Sequence, residues 1–151
     1  MHDELKITRR HLPHWHLTGS YYFITFRIRD GYLADQQKEL ILQRLIAGDS
    51  QYYQLLITVV LNDHIHIILR PNENIRLSRI MQGIKGASAR EINKIRNCTG
   101  ALWQSESFDR IIRNDEELLE KANYILYNPV KLGIIKDPWK YPFIFVKDIK
   151  I

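Results

Sequence analysis

The chain has 151 residues, 45 % of them hydrophobic, one cysteine and a formal net charge of +5. That length suits a single domain over residues 1–151, and a lone thiol excludes an internal disulfide framework and a cysteine-built zinc cage. The longest apolar runs fall far short of the ~20 residues of a membrane-crossing helix, and no apolar signal segment follows the N-terminal charges, so a cytoplasmic location is expected.

Taken in chain order, "GSYYFITFRIR" (Gly19–Arg29) alternates β-branched and aromatic residues and predicts a strand. "ADQQKELILQRLIAG" (Ala34–Gly48) closes on glycine and predicts a helix. "YYQLLITVV" and "HIHIIL" predict two strands joined at "LND", a short polar turn. Apolar residues from Leu77 to Ile95 recur at helical spacing and predict a long amphipathic helix over Leu77–Arg96, despite Gly83 and Gly86. "LWQSESFDRIIR" holds one or two short strands. The helix that follows has marked ends: Asn114 is a good N-cap, Glu117 sits where a capping-box partner belongs, and Pro129 is expected to stop it near Asn128. The order β-α-β-β-α-β-α predicts an α+β fold: a split-βαβ antiparallel sheet with helices on one face and an open face for a ligand.

Within the third strand, "DHIHIIL" places His64 and His66 two residues apart, so both imidazoles share one face. Spacing alone leaves two readings open, surface histidines or half of a metal site, because "PHWH" repeats it at His14 and His16 where no pleat aims the rings. In "ANYILYNPVKLG", Tyr124 and Asn128 lie four residues apart on one helix face. Two neutral imidazoles and one amide oxygen would suit Mg²⁺ or Mn²⁺ with open positions. Tyr124 by itself reads better as a core aromatic capping a helix.

Together, "RRHLPHW", "YYFITFRI", "NDHIHIIL", "LWQSESFDRIIRNDEEL" and "YILYNPVKLG", the last some 60 residues after the histidine pair, resemble the HUH single-tyrosine transposases of insertion sequences. The closer similarity is to the REP-associated tyrosine transposases. The resemblance implies a ferredoxin-like, HUH-endonuclease fold and a metal-dependent single-strand DNA transposase that nicks and rejoins strands at hairpin (palindromic) DNA. It implies Tyr124 as nucleophile, forming a 5′-phosphotyrosine, and His64, His66 and Asn128 as ligands of a divalent metal, Mg²⁺ or Mn²⁺. The rival expectation is a catalytically idle module of the same fold that grips structured DNA or RNA. Both a monomer and a homodimer fit.

The sequence pI of 9.3 accords with a polyanionic partner. Arg9, Arg10, Lys85, Arg90, Lys94 and Arg110 are candidate phosphate contacts by residue type. His14 and Trp15 are candidate DNA-binding residues, and Trp103 and Tyr22 are either base-stacking rings or core. Asp109 and Arg110 are expected to position DNA or to lock the fold. The terminal "DPWKYPFIFVKDIKI" is expected to pack on the core or meet a partner.

Overall fold

The computed structural model describes residues 6–7 and 20–147. Five strands, β1 (Tyr22–Arg27), β2 (Tyr53–Val60), β3 (His64–Pro71), β4 (Phe108–Ile111) and β5 (Ile144–Val146), form one sheet in the order β4-β1-β3-β2-β5. Every neighbouring pair is antiparallel. Three helices, α1 (Asp35–Ala47), α2 (Leu77–Arg96) and α3 (Asp115–Lys131), connect them, with a short 3-10 turn at Pro138–Lys140 before β5. The β1-α1-β2 and β3-α2-β4 units with β3 inserted beside β1 are the split-βαβ arrangement expected from the sequence. Among the described residues no helix is long and apolar enough to cross a membrane.

β3 is buried on both sides, and its alternation divides the interior in two. Ile65, Ile67 and Leu69 join Ile24, Phe26 and the apolar stripes of α1 (Ile41, Leu42, Leu45) and α2 (Ile80, Met81, Ile92). On the opposite face Ile68 meets Phe23, Ile57 and Val59, covered by Leu118, Ala122, Ile125 and Leu126 of α3. The expectation of helices on one face therefore holds for α1 and α2 only. The third helix leaves β4, an edge strand, and its apolar stripe is needed to cover the second face, which would otherwise leave a hydrophobic surface in water.

Helix ends follow local chemistry. Gly48 caps α1 where a Cβ would collide with the ring of Tyr53, whose hydroxyl donates to the Leu45 carbonyl at 2.6 Å. Asn97 closes α2 in the left-handed conformation, at φ 55°. At the start of α3 the Asn114 side chain accepts from Glu117 N–H at 2.8 Å, as expected. The Glu117 carboxylate, however, accepts from Arg113 N–H (2.8 Å) and from the Arg110 guanidinium (2.6 and 3.0 Å). That ion pair holds the Glu117 carboxyl below the usual carboxylate range and clamps β4 to the helix.

One further expectation needs correction. Pro129 does not stop α3, which runs on to Lys131. The ring is buried with Ile125 and Leu126, and Leu132 N–H still reaches the Asn128 carbonyl at 3.0 Å, so packing offsets the one helical bond that proline removes. Tyr124 therefore stands about two turns before the helix end, on continuous helix, and Asn128 opens the last turn. The C-terminal stretch contributes a strand, β5, on the free edge of β2.

Because α3 is held to the sheet by its apolar stripe, Ile125→Ala should cost about 2–5 kcal/mol of unfolding free energy, as other large-to-small core truncations do. Urea denaturation of the variant checks this, and a loss below about 0.5 kcal/mol would contradict the packing described.

Candidate active site

The second face of the sheet carries the polar cluster. Register places Arg27 opposite His64, Thr25 opposite His66 and Phe23 opposite Ile68, all with side chains on the α3 side. The two imidazoles lie with ring centroids 4.8 Å apart. Each has its Nδ1 engaged: His66 with the Thr25 hydroxyl at 2.7 Å, His64 with the Asp63 carboxylate at 2.7 Å. With the proton on Nδ1, the Nε2 of each ring keeps its lone pair, the tautomer that a metal ligand requires.

His66 is 4 % exposed, and burial, reinforced by the positive potential of neighbouring His64 and Arg27, pushes its pKa down to about 3. The ring is therefore neutral throughout the physiological range. Its Nε2 is buried without a hydrogen-bond partner among the described residues, and so is the Oδ1 of Asn128, 5 % exposed. Orphaned acceptors of this kind cost about 1–3 kcal/mol each. An open imidazole nitrogen and an open amide oxygen are donor types that a divalent cation accepts. Among the described residues no group of three or more His, Cys, Asp and Glu side chains that could hold a metal ion gathers.

Tyr124 is 43 % exposed, and its ring centroid lies 5.5 Å from that of His66 and 5.9 Å from that of Phe23. It is thus held by aromatic edges while its remaining surface meets solvent. Tyr127 is different: it packs into the core under α3, and its hydroxyl is buried. Desolvation, with Asp137 nearby, raises the Tyr127 pKa. A cleft of about 660 Å³ opens beside Tyr124, lined by Thr25, Arg27, His66, Phe108 and Lys121 among others.

A family model of IS200-like transposases matches residues 20–126, which span β1 to β4, the histidine pair and Tyr124. The chain belongs to the IS200-like transposases. This transposase is 29 % identical over 148 residues to a REP-associated tyrosine transposase of Haemophilus influenzae, an alignment covering 87 % of this chain and 83 % of the relative. Its fold is similar to that of a REP-associated tyrosine transposase bound to a REP hairpin, with a TM-score of 0.68, 22 % identity and coverage of 88 % and 80 % of the two chains. It is also similar to the crystal structure of a transposase from Deinococcus radiodurans, with a TM-score of 0.51, 18 % identity and coverage of 66 % and 85 %.

The transposase brings His64, His66 and Tyr124 together on one face, and Asn128 lies buried on α3, one turn beyond Tyr124. Arg9, Arg10, His14 and Trp15 lie outside the described residues. Arg90 and Lys94 are exposed on α2, behind the sheet. Lys85, on the same helix, donates to the Gln104 carbonyl (2.9 Å) and the Ser107 hydroxyl (3.2 Å), and burial lowers its pKa. Arg110 is spent on the Glu117 clamp. Trp103 is core: it packs on Phe26 with centroids 4.7 Å apart and donates to the Ser88 hydroxyl at 3.0 Å. Tyr22 packs against the same core. Three cations were missed by sequence reasoning. Arg27 faces the histidines, Lys121 overhangs Phe23 at 5.4 Å, and Lys131 overhangs the Tyr124 ring at 5.8 Å. Their signal was spacing: Lys121, Tyr124, Asn128 and Lys131 recur at helical intervals.

His66 also generates a pH dependence. The unfolded chain takes up a proton near the ordinary pKa of about 6.5, whereas the folded ring resists it down to about 3. Stability should therefore fall as pH drops through that window, by as much as about 1.4 kcal/mol per unit from this one group. Urea unfolding in chelator across that range checks it, and His66→Gln should flatten the slope. Identical slopes for the two proteins would refute the assignment.

Proposed function

We propose that the chain is a single-strand DNA transesterase that nicks and rejoins DNA at hairpins, with Tyr124 as nucleophile. One observation carries the reading: a half-exposed phenol stands over a neutral, buried histidine whose Nε2 has no partner among the described residues. The Tyr124 oxygen bonds to the scissile phosphorus as the bond from phosphorus to the 3′ oxygen breaks. The phenolic proton passes to water, the 3′ oxygen takes one up, and the 5′-phosphate remains on the tyrosine. Attack by a 3′-hydroxyl on that ester reverses the step, so rejoining needs no ATP.

A phenol with an ordinary pKa of about 10 is a weak nucleophile near neutrality. Held by His64, His66 and Asn128, Mg²⁺ or Mn²⁺ would neutralise phosphate charge there, the chemistry such HUH sites use. Lys121, Lys131 and Arg27 add positive potential along the same face and draw the backbone to it. Hairpin DNA as substrate is supported by the solved structural neighbour, which is bound to a REP hairpin. The long helix under Tyr124 supplies the rigidity that an in-line attack demands.

Incubated with Mg²⁺ or Mn²⁺ and a labelled hairpin oligonucleotide carrying a 5′ single-stranded flank, the wild type should form a covalent adduct that survives a denaturing gel. Tyr124→Phe should abolish the adduct and leave hairpin affinity within about twofold, a change of about 0.4 kcal/mol. Tyr127→Phe should retain it, and chelator present from the start should prevent it, with excess Mg²⁺ restoring it. An adduct that persists in Tyr124→Phe overturns the nucleophile, and no adduct with any hairpin leaves an idle binding module as the better description. Affinity should fall with salt along a log–log slope around −3 to −4 if about four to six phosphates are neutralised.

A further inference from the structure

One wall of the cleft has no part in the reaction just described. Thr25 pairs with His66 on one side and with Phe108 on the other, so Phe108, Thr25 and His66 form one cross-strand row on the same face. Two strand spacings of about 4.8 Å separate its ends, which puts Phe108 roughly 9–10 Å from His66. Phe108 is a phenylalanine left 56 % exposed. It meets Phe23 edge-on, with centroids 6.2 Å apart, and Phe23 in turn lies parallel to His66 at 5.7 Å. The ring is therefore steadied at one edge while much of its surface is open to solvent.

The segment leading into it is braced. Gln104 N–H donates to the Arg27 carbonyl at 2.8 Å, and Lys85 reaches from α2 to the Gln104 carbonyl and the Ser107 hydroxyl. The cleft carries charge of both signs: Arg27 and Lys121 line it with His66 and Tyr124, and Glu106 lines it on the braced segment that leads to Phe108. That segment also offers the uncharged polar side chains of Gln104 and Ser107 close in sequence to the exposed ring of Phe108, surroundings that suit a flat, polar-edged group. A volume of about 660 Å³ falls within the ~300–1,000 Å³ of small-ligand sites and admits one nucleotide with room to spare.

We propose that Phe108 is the platform of a nucleobase subsite, on which the unpaired base adjoining the scissile phosphate stacks, its edge facing Gln104, Glu106 and Ser107. The inference rests on the reading of His66 and Tyr124 as the scissile-phosphate site and adds to it how the neighbouring nucleotide is held. Stacking is indifferent to base identity, because every base offers a π-face. Phe108 therefore contributes affinity and register, and the polar edge contributes base preference.

The test is a double-mutant cycle on affinity, run in the Tyr124→Phe background so that no chemistry intervenes. The probe is a hairpin oligonucleotide with a 5′ single-stranded flank, along which an abasic residue is stepped one position at a time. Phe108→Ala should weaken binding of the intact probe by roughly 5–100-fold, the range of one base–aromatic stack. Phe108→Trp should bind like the parent, which controls for any disturbance of the edge strand. At one abasic position, and only one, Phe108→Ala should cost nothing further. A loss that persists at every abasic position, a loss shared by Phe108→Trp, or no loss in Phe108→Ala overturns the subsite. The covalent-adduct assay on the wild type is run separately, so failure of the catalytic reading shows there and failure of the subsite shows in the cycle.

Discussion

Everything in this molecule depends on the register of one strand. β3 is buried on both faces, and a slip of one residue would send Ile65 and Ile67 into the polar cluster and His64 and His66 into the core beneath α1 and α2. The surrounding contacts forbid that slip. Thr25 offers a hydroxyl to His66 from one neighbouring strand, and Thr58 donates to the His66 carbonyl from the other, at 2.9 Å. The histidine is thus fixed by its ring and by its main chain at once. Isolated apolar contacts would tolerate a shift in phase, but a buried imidazole with a specific partner does not.

Burial and neutrality are the same fact seen twice. An imidazole with an ordinary pKa would spend part of its time protonated near neutrality and would then repel any cation. Placing it under α3, beside Arg27 and a second imidazole, makes the protonated form expensive. Among the described residues the His66 Nε2 and the Asn128 Oδ1 stay without a hydrogen-bond partner, a cost the fold carries. Buried groups of that kind are rare in folded proteins and each calls for an explanation, a catalytic role or a bound ion among them.

Much of this was legible in the sequence because periodicity reports burial directly. The His64/His66 phase, the Leu77–Arg96 helix and the Asn114 cap were all readable, since each depends on neighbours a few residues away. What escaped depended on distant partners. Pro129 reads as a helix stop until the burial of Ile125 and Leu126 is known, and the side of the sheet that α3 covers is a tertiary fact. Lys85 and Arg110 look like phosphate contacts by residue type, yet hydrogen bonds to Ser107 and Glu117 hold them within the fold. Trp103 looked equally suited to DNA until Phe26 and Ser88 appeared beside it. Charge and aromaticity do not say which surface they face.

The strand order carries a consequence for how the chain reaches this state. β2 and β3 are joined by three residues, so their hairpin is the cheapest pairing to close, and closure of so short a loop takes well under a microsecond. The histidine pair is carried on that earliest unit. β1 must then join from about forty positions upstream, as Thr25 does to reach His66, and α3 must dock from about sixty positions downstream of the same strand, as Tyr124 does. Each of those searches pays a larger loop-closure entropy and slows the climb. Phenol and imidazoles therefore meet only once segments some sixty positions apart have docked, so the constellation exists in the assembled fold and in no short fragment of it.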